Sequence, residues 1–458
     1  MVYAAPLALN VLQHSELPSM NAFDSKLSRR SFLSFLAVAS FNPGRSSAEH
    51  HFAYEGVIGT SLDLVVWTAS APAARLANHM VLQEIDRLTS ILDTRDPASE
   101  ISLAGATFGR RTSRELADVL AAYDGWERRT GGVLSVRPGG AHAPLNVDAL
   151  GKAYIIDCAA RAVRTALTAV DALLLNIGGD ITTWGRSCNV AIADPRASHD
   201  NGEPIARVVL ANAAIATSGC YARGAHLWNA KLGRPAGTGS AATVVAADAV
   251  TANALATTLC VMGAGEGLRL VESTPGAEAL FIAPNGALER TTGFAGLERA
   301  ASPEPMARTG PAGFQLTVTL TLAHGRSSKR PYVAVWAEDT NGKLARLLAV
   351  WGNQSKYLPD LSSMWRLVGR DQNLLHSVTR ATRSPGKYEL VWDGLNDERK
   401  PVPPGTYHIV VETNQEHGTY AKQSGTIELG DRPTSITLPA TTNFEPVLIQ
   451  YRPQQGGS

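Results

Sequence analysis

The chain has 458 residues, which at roughly 150 per domain suggests two or three domains and a sizeable core. Its 42 Lys+Arg against 41 Asp+Glu leave a formal net charge of +1, which argues against a protein built to grip nucleic acid with a basic stripe. No apolar run reaches the roughly 18 residues of a spanning helix, so no integral membrane segment is expected.

The first fifty residues read as an address. Ser28-Arg29-Arg30-Ser31-Phe32-Leu33 is a twin-arginine pattern, and an apolar stretch continues to Phe41 before Pro43 and Gly44 end it. Ser46-Ser47-Ala48 supplies small residues for cleavage. Residues 1–50 are therefore expected to be a twin-arginine export leader, delivering the rest to the periplasm or the cell-surface side. The polar segment before Arg29 is long for such a signal, and its length predicts translation from Met20. Twin-arginine export carries folded proteins, which favours a cofactor protein.

From Glu55 to Leu297, strand and helix patterns alternate. Leu62-Asp63-Leu64-Val65-Val66-Trp67 reads as a strand, and a helix follows Pro72 with Val81, Ile85, Leu88 and Leu92 on one stripe. A second helix carries Leu116, Val119, Tyr123 and Trp126, a third begins near Lys152, and a fourth near Thr251. Short strands are expected at Leu173–Leu175, Val190–Ile192, Ala214–Ala216 and Thr243–Ala246. Residues 51–299 are thus an α/β or α+β domain. The four cysteines, Cys158, Cys188, Cys220 and Cys260, lack CxxC spacing, which disfavours thiolate metal clusters. Cys158 and Cys260 fall on apolar helical faces, as small buried thiols do.

Residues 300–313 hold Pro303, Pro305 and Pro311 without apolar period, and read as a linker. Residues 314–458 look entirely β: Leu316–Leu320, Tyr332–Trp336 and Tyr407–Val411 are strand-like runs, separated by turn residues such as Asn341-Gly342 and Pro403-Pro404-Gly405. An antiparallel sandwich is expected. The segment from Trp392-Asp393-Gly394 to Pro404-Gly405-Thr406-Tyr407 resembles immunoglobulin-like modules of the flagellar hook-capping kind, which implies binding or scaffolding.

Three middle-domain segments carry candidate chemistry. Asn176-Ile177-Gly178-Gly179-Asp180 follows an apolar strand, and its glycines let the backbone approach a phosphate or simply make a tight turn. Asn146-Val147-Asp148-Ala149-Leu150-Gly151-Lys152 leads into a helix, where the lysine meets an anion or merely faces solvent. The third runs from Thr217-Ser218-Gly219 through His226 and Gly233-Arg234-Pro235 to Ala252-Asn253-Ala254-Leu255-Ala256-Thr257. Asn253 and Thr257, at i and i+4, share a helix face and could reach one hard cation.

The order of these segments, together with Glu84-Ile85-Asp86 and Ser99-Glu100-Ile101-Ser102 before them, resembles the ApbE family of FAD:protein FMN transferases, over roughly Gly59 to Ile282. The resemblance implies an α+β flavin-transferase-like domain followed by the all-β antiparallel sandwich. It also implies a Mg2+-dependent reaction. A Ser or Thr hydroxyl of an acceptor protein attacks the FMN-side phosphorus of FAD, AMP leaves, and FMN stays joined through a phosphodiester. The family's histidine matches His226, the candidate base. Its metal positions match Asn253 and Thr257, with main-chain oxygens at Ala149 and Ala256. FAD contacts carry over to Ile58, Asn146, Lys152, Gly178, Gly179, Asp180 and Leu227.

This sequence departs from the family pattern in places. Asn253 stands where the late-helix ligand is normally an aspartate, and Asn229-Ala230 replaces Asp-Pro after the histidine. Gly105 replaces an early asparagine, and Leu134-Ser135 a Phe-Asp pair. At an effective ε of ~20, a unit charge 4 Å from a divalent ion is worth ~8 kcal/mol before desolvation, so losing the aspartate weakens magnesium binding. The alternatives are a non-catalytic FAD-binding protein and an FAD pyrophosphatase releasing free FMN and AMP. No acceptor motif stands out in the chain itself.

Overall fold

The computed structural model describes residues 38–39, 47–106, 112–140, 142–196, 201–202, 204–219, 227–236, 239–298, 314–323, 330–352, 355–369, 371, 374, 378–380, 382–383, 385–398, 400–415 and 418–453. Most of the expected leader and the whole expected linker lie outside the described residues.

The middle domain runs in the order β1 (Val38–Ala39), β2 (Ala48–Val57), β3 (Thr60–Thr68), α1 (Ala71–Leu92), α2 (Glu100–Ala106), α3 (Arg114–Arg129) and α4 (Asp148–Ala166). Next come β4 (Ala172–Ile177), β5 (Asp180–Trp184), β6 (Ser187–Ala193), β7 (Pro204–Ala211), β8 (Ala214–Gly219), β9 (Trp228–Asn229), β10 (Arg234–Pro235) and β11 (Ala241–Ala246). It closes with α5 (Ala249–Met262), α6 (Ala264–Glu272), β12 (Glu278–Ile282), β13 (Leu288–Arg290) and α7 (Phe294–Leu297). Eight strands form one antiparallel sheet in the order β13-β12-β11-β8-β5-β4-β3-β2.

Strand alternation explains how that sheet is covered. Leu62, Leu64 and Val66 of β3 face the helices, against Ala74, Val81, Ile85 and Leu88 of α1 and Ile156 and Val163 of α4. Val65 and Trp67 face the opposite side, where β6, β7 and α7 supply Val190, Val208, Leu210 and Phe294. Both faces are buried, so the strands read as nearly continuous apolar runs although the pairing is antiparallel. Each buried Leu, Ile or Val contributes about 1.5–3 kcal/mol of transfer free energy. Ser70 caps α1, its hydroxyl accepting the Ala73 N–H at 3.3 Å, and the helix carries Pro72 in its first turn, where a missing N–H costs nothing.

The C-terminal domain is an all-β sandwich, antiparallel except for a two-residue edge strand (Thr379–Arg380) that pairs in parallel, and it carries a helical addition. One sheet has the order β18-β14-β22-β21, from β14 (Phe314–Leu322), β18 (Gly386–Trp392), β21 (Thr434–Leu438) and β22 (Val447–Pro453). The other has the order β17-β16-β15-β19-β20, from β15 (Tyr332–Asp339), β16 (Leu344–Trp351), β17 (Thr379–Arg380), β19 (Gly405–Asn414) and β20 (Tyr420–Leu429). Leu316, Val318, Val333, Val335, Trp351, Trp392, Ile409 and Val411 fill the space between them. The expected sandwich is present and also carries a helical segment. A 3-10 turn (Ser355–Asp360) and α8 (Ser362–Val368) bring Leu358, Leu361, Met364 and Val368 over Tyr332, Ala334, Trp336 and Val410. Because β15 is apolar on both faces, its outer face needs a cover. Glu412, wholly buried, anchors that cover by accepting the N–H groups of Ser363 (2.9 Å) and Met364 (2.8 Å) and the Tyr420 hydroxyl (2.7 Å).

The two domains touch through Asn201. Its carboxamide donates to the Val391 carbonyl at 2.8 Å and accepts the Val391 N–H at 2.9 Å. Among the described residues, no helix is long and apolar enough to cross a membrane.

Candidate functional site

Two turns meet at one end of the central sheet. β4 and β5 are joined by Gly178 (φ 60°) and Gly179 (φ 96°), a two-residue hairpin that needs positive φ at both positions. A Cβ on Gly178 would lie 2.6 Å from Thr60 Oγ1, so the neighbouring β2–β3 turn leaves no room for one. The Gly178 N–H donates to the Ser61 carbonyl (3.0 Å) and the Gly179 N–H to Asn176 Oδ1 (3.0 Å). Both glycines therefore bring backbone close to the site while their N–H groups are satisfied within the protein. Ile58 belongs to the facing turn, half-buried and at φ 49°, a left-handed conformation that strains a β-branched residue.

Asp180 follows the turn and is buried, 2% exposed. Lys152 Nζ sits 2.7 Å from Asp180 Oδ2 and 3.5 Å from the Ile177 carbonyl. On the other side, Asn253 Nδ2 donates to the same Asp180 oxygen at 3.0 Å. Thr257, one turn along α5, donates to Asn253 Oδ1 at 3.5 Å, and its hydroxyl lies 3.2 Å from Ser218 Oγ. The structure thus places Lys152, Asp180, Asn253 and Thr257 on one hydrogen-bonded line from α4 through β5 to α5 and β8. Ala149 is in the first turn of α4, and Ala256 is fully buried on α5 between the two polar positions.

Lys152 is reached differently from the sequence expectation. Helix α4 starts at Asp148, not near Lys152, because Asn146 Oδ1 accepts the Asp148 N–H (2.9 Å) and the Tyr123 hydroxyl accepts the Leu150 N–H (3.2 Å). Lys152 consequently stands in the second turn, and its charge is directed by Asp180, not by a helix end. Leu227 is packed into the core, with its carbonyl accepting the Ala236 N–H at 2.7 Å beneath the β9–β10 hairpin. His226 lies outside the described residues, as does Cys220. Among the described residues the cysteines are unbridged, and the Cys260 thiol donates to the Ser218 carbonyl at 3.1 Å.

A carboxylate on α4 connects the two helices. Asp157, five residues after Lys152 on α4, accepts the N–H groups of Ala249 (3.0 Å) and Val250 (3.2 Å) at the start of α5. Asp248 caps the same end through the Thr251 N–H at 2.7 Å. Burial pushes the Asp157 carboxyl up to about 6 against the opposing pull of the Ala249 N–H, and the nearby Asp248 charge adds to the rise. The sequence pattern shows a helix starting near Thr251, whereas its Asp248 cap and the second cap from α4 emerge only from the fold, where α4 and α5 are neighbours.

Residues 135–281 match the model of the ApbE family, and residues 314–445 match a family described as a predicted periplasmic protein (DUF2271). The middle domain resembles the ApbE family. The matched segment contains every candidate site residue except Ile58. Among solved structures, the ApbE protein from Thermotoga maritima is 20% identical, with 55% of this chain and 100% of that one covered at a TM-score of 0.49. The flavin transferase ApbE from Vibrio cholerae is 16% identical, covering 55% and 99%, with a TM-score of 0.47. The flavinyl transferase ApbE from Pseudomonas stutzeri, in its apo form, is 17% identical, covering 56% and 100%, with a TM-score of 0.47. None of the curated proteins compared with the chain matches it.

Proposed function

We propose that this chain is an exported FAD:protein FMN transferase, sent through the twin-arginine route to the periplasm. There it joins FMN to a Ser or Thr of an acceptor flavoprotein and releases AMP. The observation that carries this reading is the line Lys152–Asp180–Asn253–Thr257, assembled inside the segment that matches the ApbE family. The periplasmic destination is supported by the family matched by the sandwich.

In this reading the two turns at Ile58–Thr60 and Gly178–Gly179 form the floor on which FAD lies, with Asn146 and Leu227 at its margins. Lys152, whose side chain is 26% exposed while that of Asp180 is 3%, offers its free side to the pyrophosphate. The acceptor hydroxyl oxygen attacks the FMN-side phosphorus, its proton passes to His226, and the bond from that phosphorus to the AMP oxygen breaks. Catalysis of this kind is mostly placement plus charge stabilisation. The sandwich recognises a partner or places the transferase domain.

The resemblance also implies Mg2+ held by Asn253, Thr257 and the carbonyls of Ala149 and Ala256. Magnesium is ordinarily held through one or two carboxylates. These four donors bring none, and the adjoining Asp180 is balanced by Lys152. The residues do not fit a resident magnesium ion, and we read the metal position as degenerate. That same neutral contact favours a second reading, a flavin binder without transfer activity.

The test is to incubate the purified protein with FAD and the periplasmic proteins of its own cell, with and without magnesium. A covalent FMN adduct on an acceptor supports transfer, and tight FAD binding with no AMP supports the binder. Free FMN and AMP with no adduct would mean a pyrophosphatase and would sink the transferase reading.

A further inference from the structure

The line through Asp180 closes on itself without a metal. Asn253 spends both ends of its carboxamide inside the protein: Nδ2 on Asp180 Oδ2 at 3.0 Å, and Oδ1 on the Thr257 hydroxyl at 3.5 Å. An aspartate at this position would set a second carboxylate against Asp180, and two carboxylates sharing a site need a cation or a proton between them. The carboxamide removes that need by turning one of the two acceptors into a donor. The charges then sum to zero, with Lys152 positive, Asp180 negative and Asn253 and Thr257 neutral.

The remaining carboxylates on these two helices are committed elsewhere. Asp157 and Asp248 hold the N–H groups that start α5, and Asp148 accepts the Thr94 hydroxyl at 3.1 Å. Among the described residues, no group of three or more His, Cys, Asp or Glu side chains gathers that could hold an ion instead.

We propose that this chain binds flavin dinucleotide without a divalent cation, the Lys152–Asp180–Asn253 line taking over both tasks a cation would perform. It ties α5 to the end of β5, and it presents one fixed positive charge, Lys152 Nζ, to the pyrophosphate. The ligand class rests on the flavin reading above, whereas the cation independence rests on the side-chain arrangement alone.

The experiment uses the full chain, stripped with a chelator, and follows two readouts. The first is FAD affinity from flavin fluorescence, in chelator and in millimolar magnesium. The unaltered protein is expected to bind FAD within about twofold of the same affinity in both, whereas Asn253→Asp loses about tenfold in chelator and recovers it with magnesium. The second readout needs no flavin. The melting temperature of the unaltered protein stays constant when magnesium is added, while that of Asn253→Asp falls in chelator and rises with magnesium. Asn253→Ala, which removes the donor and adds no charge, weakens FAD binding in a way magnesium does not repair.

Magnesium tightening FAD binding of the unaltered protein by tenfold or more, or raising its melting temperature without FAD, would overturn the proposal. Absence of FAD binding under both conditions would overturn the flavin reading and with it the ligand named here. The melting arm would still decide whether the site takes a cation.

Discussion

Thr60 and Gly178 interlock: the Thr60 hydroxyl occupies the volume that a Cβ on Gly178 would fill, 2.6 Å away, and Gly178 itself sits at φ 60°. The β2–β3 turn and the β4–β5 turn are thereby fixed against each other at the end of the sheet that carries the site.

Gly178→Ala is accordingly expected to destabilise the protein by about 2 kcal/mol, part from positive φ and part from the clash. Thr60→Ala removes Oγ1 and Cγ2 but leaves its own Cβ at 3.1 Å from the new methyl. The double variant therefore recovers most of the steric part and keeps the backbone part. A double-mutant cycle by urea unfolding measures this coupling, and strict additivity would refute the interlock.

Asp180 is the acceptor on which the site converges. Asp180→Ala leaves the Lys152 ammonium and the Asn253 amide without their shared partner, at an expected cost of about 3 kcal/mol in unfolding free energy. Lys152→Met strands a buried carboxylate instead, and both variants lose FAD affinity. Denaturation alongside fluorescence titration separates folding from binding. A full-affinity Lys152→Met protein would remove the lysine from the phosphate role.

The pH dependence of stability contains a contribution from Asp157. Its folded carboxyl titrates near 6, above the ordinary 3.8, so the folded state binds its proton more tightly than the unfolded chain does. Stability from this group is fully present below about pH 4 and is lost as pH rises through 6, by up to about 3 kcal/mol. Asp157→Asn, which cannot ionise, flattens that part of the profile and gains relative to the unaltered protein toward neutral pH. Urea unfolding at pH 4, 5, 6 and 7 gives the difference curve, and a curve without slope between 4 and 6 would contradict the assignment.

Glu412 predicts how separable the domains are. Removing its carboxylate strips α8 of two N–H acceptors and the Tyr420 hydroxyl of its partner, so Glu412→Ala costs the sandwich about 3 kcal/mol. The flavin affinity of the middle domain is expected to stay unchanged, since Glu412 lies away from the half-buried Asn201–Val391 pair through which the domains touch. Calorimetry on the full chain with and without FAD checks both statements.

Local pattern revealed much of this architecture. The stripe Val81–Ile85–Leu88–Leu92 is buried on α1, Leu116, Val119, Tyr123 and Trp126 are buried on α3, and the middle and C-terminal strands read in sequence are strands. What stayed hidden depended on partners distant in the chain. The start of α4 is set by Asn146 and Tyr123, and Asp157 acts on a helix some ninety residues later. The cover over β15 follows from a strand apolar on both faces, which alternation alone cannot distinguish from a half-buried one. At the site, spacing placed Asn253 and Thr257 on one face, but only the fold set Asn253 against Asp180.

Flavin transfer is tested most directly by the stoichiometry of the products formed from FAD. The protein is mixed with FAD and the periplasmic protein fraction of its own cell, AMP is quantified by chromatography, and covalent flavin is read by fluorescence on a denaturing gel and by mass spectrometry. The expected products are AMP and Ser- or Thr-linked FMN in equal amounts, both lost in the Lys152→Met variant. Intact FAD at the end, or AMP released with only free FMN beside it, would contradict flavin transfer.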